Sequence, residues 1–164
     1  MAGIMFYTTR HKTFPTVSHV ALNGKLTRQV FFWGLTISAI IFAVLMYGWA
    51  VPEFALGVWL QLIIGILIVS QILTGLFPVQ GKRFGVTHTL FASILGICMF
   101  ILITSFSITE TISVGARIFD AFVAISMLIL LAASIYVPRG RYLLHEKIFF
   151  AFWHIALFVT IYFG

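Results

Sequence analysis

The chain has 164 residues, of which 62% are hydrophobic and 9% charged, with a mean hydropathy of +1.13 and a formal net charge of +6. Soluble domains carry roughly 25% charged residues, so a water-facing shell is excluded and a hydrocarbon solvent is implied. A single cysteine, Cys98, excludes an internal disulfide and a thiolate metal cluster.

In chain order, the first 29 residues lack the apolar core of a secretory leader, because Thr8 to Lys12 interrupts the Met5-Phe6-Tyr7 patch. Pro15, Asn23 and Gly24 argue against one long helix there. Residues 1–29 therefore read as a cytoplasmic interfacial segment, pinned by Phe6, Tyr7 and Phe14 with basic residues beside anionic headgroups. Residues 30–164 read as one all-α transmembrane bundle. A crossing needs about 20 mostly apolar residues, and five such runs follow, at about 30–50, 55–77, 87–108, 117–137 and 146–163. The breaks fall at Pro52-Glu53, Phe77-Pro78 to Arg83, Thr109-Glu110-Thr111 and Pro138 to Arg141. Membrane strands would alternate apolar and polar residues; these runs are continuously apolar, so helices are expected.

Charge predicts the orientation. With a cytoplasmic N-terminus, nine of the ten Lys and Arg residues lie inside and only Arg117 outside, while Glu53, Glu110 and Asp120 bound the outer side. Cytoplasmic loops favour Lys and Arg, which predicts N-in, C-out. The basic residues are scattered over short loops, so the positive charge is topological and no nucleic-acid partner is expected. A prokaryotic cytoplasmic membrane is the expected location.

Polar groups inside a membrane are costly and face the bundle interior. The second span carries Gln61, Ser70, Gln71 and Thr74, the third begins with Thr87-His88-Thr89, and the fifth carries His154. Gln71 and Thr74, three apart, share a helix face. The expectation is that Gln71, Thr74, His88 and His154 line a common pocket in the cytoplasmic half, for a lipid or small amphiphile. Two other readings stand beside it. These side chains can hydrogen-bond across helices with no ligand, or His88 and His154 can hold haem, since imidazole is a good iron ligand. His145, beside Glu146 and Lys147, reads as interfacial.

Catalytic signals are thinner. Apart from Glu146 at the very start of the fifth span, Asp120 is the only acid within a predicted span, and it follows Arg117 by three positions, which predicts a local ion pair at the outer surface. Ser93 and Ser126 sit in no nucleophile motif. Small residues at Ala92 and Gly96, and at Gly57 and Gly65 with Gln61 between them, are expected to let helices approach closely. Trp33, Trp49, Trp59, Tyr136 and Tyr162 fall near span ends, as aromatic belts do.

Gly75-Leu76-Phe77-Pro78, a short loop, then His88-Thr89-Leu90-Phe91-Ala92 resembles the middle signature of an uncharacterised prokaryotic multi-pass family similar to the eukaryotic Frag/DRAM (damage-regulated autophagy modulator) membrane proteins. Phe14-Pro15-Thr16-Val17-Ser18 with Arg28-Gln29-Val30-Phe31 resembles the loop before their second helix, and Glu146-Lys147 to Trp153 the end of the prokaryotic form. Those relatives have six spans; here the helix ahead of the Phe-Pro segment and the glycine after its serine are missing. Their corresponding loops face away from the cytoplasm, whereas the charge pattern puts both inside. The resemblance implies lipid handling or membrane organisation and supplies no catalytic residue. The expected function is a non-enzymatic membrane protein, acting as an oligomer, as a subunit or partner of a membrane complex, or as a lipid binder. The alternative is a small redox or transport protein built on His88 and His154. The sequence fixes no cofactor; bound lipid ranks ahead of haem.

Overall fold

The computed structural model describes residues 24–77, 81–134, 136 and 142–164. They form an all-helical bundle with no strand among them. Helix α1 runs Lys25–Glu53, α2 Val58–Leu76, α3 Gly81–Ile108, α4 Val114–Ser134 and α5 Tyr142–Phe163. All five are long and apolar enough to cross a membrane. The chain is thus built as an integral membrane protein.

The helices alternate in direction, each packing on the next through short corners. Two ends follow. One carries the starts of α1, α3 and α5 and is called the basic end, because the opening turns of α1 and α3 hold Lys25, Arg28, Lys82 and Arg83; the other is the opposite end. Helix α3 is the hub. It packs on α2, α4 and α5, and its Leu95, Cys98, Met99, Leu102, Ile103 and Phe106 are all buried. Phe42 of α1 meets Trp153 of α5 with ring centroids 5.8 Å apart, joining the first helix to the last. Helix α1 shows the pattern that sorts core from surroundings. Phe31, Ala39, Phe42, Met46 and Ala50 are buried, while Trp33, Ile37, Ile40, Ile41 and Val44 are exposed along another stripe of helical spacing.

The helices begin earlier than hydropathy predicts. Lys25 to Gln29, expected in the interfacial segment, are already helical; residues 1–23, the rest of that segment, lie outside the described residues. Helices α3 and α5 likewise open with basic or polar turns ahead of their apolar runs. Long basic side chains reach water from such turns while their stems stay apolar.

The first helix ends at Glu53, at the expected Pro52-Glu53 break, with Pro52 itself still helical. Proline lacks an amide hydrogen and clashes with the carbonyl four residues back, here that of Gly48. The helix widens ahead of it into a π turn at Met46–Ala50, in which the Val51 amide donates to the Met46 carbonyl, and continues to Glu53. The chain then turns through Ala55, whose φ of 49° is left-handed. The Leu56 amide donates to Val51 O at 3.0 Å and the Ala55 amide to Pro52 O at 3.4 Å, a Schellman closure. Leu56 is buried in the core, Thr111 Oγ1 donates to Phe54 O, and Gln61 Nε2 donates to Leu56 O. These bonds fasten the α1–α2 corner to the α3–α4 corner at the opposite end.

Candidate functional site

Gln71 and Thr74 of α2 and His88 of α3 meet at the basic end, whereas Gln61 lies at the other end of α2. Helix α2 stops at Leu76, and the last four carbonyls of a helix lack amide partners. The Phe77 amide takes the Leu73 carbonyl at 3.0 Å. The Thr74 carbonyl would take the amide of residue 78, but that residue is proline and has none. His88 of α3 supplies the missing donor. Its Nδ1 is 3.1 Å from Thr74 O and 2.7 Å from Phe77 O. Both neighbours are carbonyl oxygens, so Nδ1 carries the hydrogen and, in the neutral ring, Nε2 carries the lone pair. The ring is buried, and Phe77 stacks on Phe91 one turn further along α3, centroids 5.9 Å apart.

The same end of α2 is laced to α1. Gln71 Nε2 donates to Leu35 O at 3.1 Å. Gly75 sits one turn on; a Cβ there would stand 3.4 Å from Leu35 Cβ and 3.5 Å from Phe32 Cα. Thr74 Oγ1 donates to its own helix at Ser70 O, 2.7 Å away. Gln71, Thr74 and His88 therefore belong to one corner, and every hydrogen bond described for them ends on a main-chain carbonyl.

His154 stands apart from this corner. A Cβ on Gly96 of α3 would stand 3.9 Å from the Phe149 ring tip of α5, so the two residues lie at about the same level. The two helices run parallel, since the starts and ends of each fall at the same ends of the bundle. His88 is eight residues before Gly96 and His154 five after Phe149, so the two histidines are offset by roughly 20 Å along the bundle at 1.5 Å per residue. His154 is exposed, and its Nδ1 donates to Phe150 O one turn back, at 2.6 Å. It lies twelve residues into α5, near mid-helix. His145 lies in the first turn of α5, and both its ring nitrogens are buried without a hydrogen-bond partner among the described residues.

At the opposite end the expected Arg117–Asp120 pair is not formed. Arg117 Nε donates to Ser107 O at 3.2 Å, across the corner to α3. Asp120 turns the other way, into the α4–α5 seam, and is fully buried. Its Oδ2 is 2.8 Å from Thr160 Oγ1, which is also 3.0 Å from the Ala156 carbonyl oxygen. Asp120 Oδ1 has no hydrogen-bond partner among the described residues. The seam is closed below this contact by Ser113, whose amide donates to Gly164 O and whose hydroxyl donates to Phe163 O. Sequence reading missed Thr160. The available signal was its place near the end of the last span, where an acid in the antiparallel neighbour could reach it.

Compared with family models, curated proteins and solved structures, the chain matches none.

Proposed function

We propose that this chain is a non-enzymatic integral membrane protein, oriented N-in and C-out, that works as a subunit or partner within a membrane complex. The observation that carries this reading is how the candidate polar residues are used. Gln71, Thr74 and His88 spend their hydrogen bonds on helix carbonyls, fixing α1, α2 and α3 to one another. A rigid internal frame then presents apolar helix faces outward. Within the most apolar 18 residues of each span, between 22% and 33% are buried inside the chain. The remainder must meet lipid or another membrane protein. The likeness of the Gly75–Pro78 and His88–Ala92 segments to the Frag/DRAM-like family supports a role in membrane organisation or lipid handling.

Lipid binding is the second reading, and His88 Nε2 favours it, as an acceptor next to the basic loops for an amine or hydroxyl of a headgroup. Native mass spectrometry of the full chain released from lipid nanodiscs tests both readings. A homo-oligomer or a stoichiometric second protein is the expected result. A monomer retaining lipid that is lost on His88→Leu would support the lipid reading instead, and a bare monomer in every lipid would overturn both.

A further inference from the structure

The α4–α5 seam buries a carboxyl group whose hydrogen bonds close only in one protonation state. Thr160 has a single hydroxyl hydrogen and two acceptors in reach, Asp120 Oδ2 at 2.8 Å and Ala156 O at 3.0 Å. Suppose that Asp120 is ionised. The Thr160 hydrogen must then turn to Oδ2, Oδ1 keeps nothing, and a full charge sits in the membrane-spanning part of a helix with one neutral donor. Burying an ion with so little compensation is strongly unfavourable. Suppose instead that Oδ2 carries a hydrogen. It donates to Thr160 Oγ1, Thr160 donates to Ala156 O in the usual back-bond of a helical threonine, and both contacts are used with correct polarity. Oδ1 is then a neutral carbonyl oxygen, which tolerates lacking a partner far better than an anion does.

Among the described residues, no cation compensates the alternative. On α4 itself Arg117 is engaged with Ser107 O. Across the seam on α5, His154 and Tyr162 are exposed on the outside of the bundle, and Glu110 in the α3–α4 corner is exposed as well. The lining beside Asp120 is apolar, with Ala116, Val123 and Ala124 of α4 and Ala156 and Leu157 of α5 all buried.

We propose that Asp120 and Thr160 form a proton-holding site in the α4–α5 seam, with Asp120 a carboxylic acid that donates through Oδ2 to Thr160 and leaves Oδ1 as an open acceptor. Its ligand is the proton. Release of that proton to water leaves the carboxylate with one donor, so water or another donor must reach Oδ1 when it happens.

The chain offers a clean probe, because Asp120 is its only aspartate. Full-length protein carrying carbon-13 aspartate, in phosphatidylcholine vesicles at neutral pH, reports this one carboxyl in an isotope-difference infrared spectrum. The expected result is a labelled band in the carbonyl region of a carboxylic acid. Thr160→Ser should leave it in place, and Thr160→Val should move it to higher wavenumber by removing the hydrogen-bond acceptor. Labelled intensity in the carboxylate region would overturn the proposal, and so would a band unmoved by Thr160→Val. The wild-type spectrum decides even where a variant does not fold.

Discussion

His88 Nδ1 lies 3.1 Å from the Thr74 carbonyl oxygen, the one carbonyl near the end of α2 whose own helix offers it a proline in place of an amide. A side chain from the next helix thus finishes the hydrogen bonding of the previous one. Replacing His88 by Leu should cost about 1–3 kcal/mol, the usual penalty for stranding a buried polar partner. Pro78→Ala restores an amide hydrogen, so the loss from His88→Leu should shrink in that background. Thermal unfolding of the four proteins in one detergent measures the cycle; equal losses with and without Pro78 would refute the substitution of donors.

Gly75 is where α2 approaches the α1 backbone. A single methyl reaches 3.4 Å from Leu35, an ordinary contact, so Gly75→Ala should change stability by less than about 0.5 kcal/mol. Gly75→Leu must push α1 away and should cost about 1–3 kcal/mol, with faster hydrogen exchange along Phe31–Ala39. A neutral Gly75→Leu would show that the close approach is dispensable.

Ala55 holds a left-handed conformation that a Cβ disfavours by roughly 1–2 kcal/mol. Ala55→Gly relieves it while adding freedom to the unfolded chain, so a net gain of about 0.5–1 kcal/mol is expected. A lower unfolding temperature would mean that the methyl group's contacts outweigh the strain.

The charge distribution predicts topology. A reporter appended after Gly164 should read as non-cytoplasmic and one inserted near Gly81 as cytoplasmic. The reverse pattern would assign the basic loops to the outside and favour the orientation of the Frag/DRAM-like proteins.

The five helices were legible because lipid imposes long apolar runs that few other structures need. Their starts were not, since hydropathy marks the apolar stretch and Lys25, Gly81 and Tyr142 open helices ahead of it. The break at Pro52-Glu53 was legible, but the π turn at Met46–Ala50 that lets the helix carry the proline was not, because no residue pattern announces it. At the basic end, Gln71, Thr74 and His88 were found together because a membrane leaves few polar residues to consider. Asp120 was assigned to Arg117 because spacing reveals only local neighbours. Thr160 is forty residues away, and only the antiparallel packing of α4 on α5 makes them partners.

The forty-residue separation of Asp120 and Thr160 has a counterpart in biogenesis. Ribosomes add about 5–20 residues per second, so Asp120 leaves the tunnel roughly 2–8 seconds before Thr160 does. During that interval α4 presents an acid to the insertion machinery without the hydroxyl that will receive it. Arrival of α5 gives the acid its hydroxyl, and the Ser113 bonds to Phe163 and Gly164 then shut the seam. Helix α5 is thereby the element that completes the polar pairing of α4.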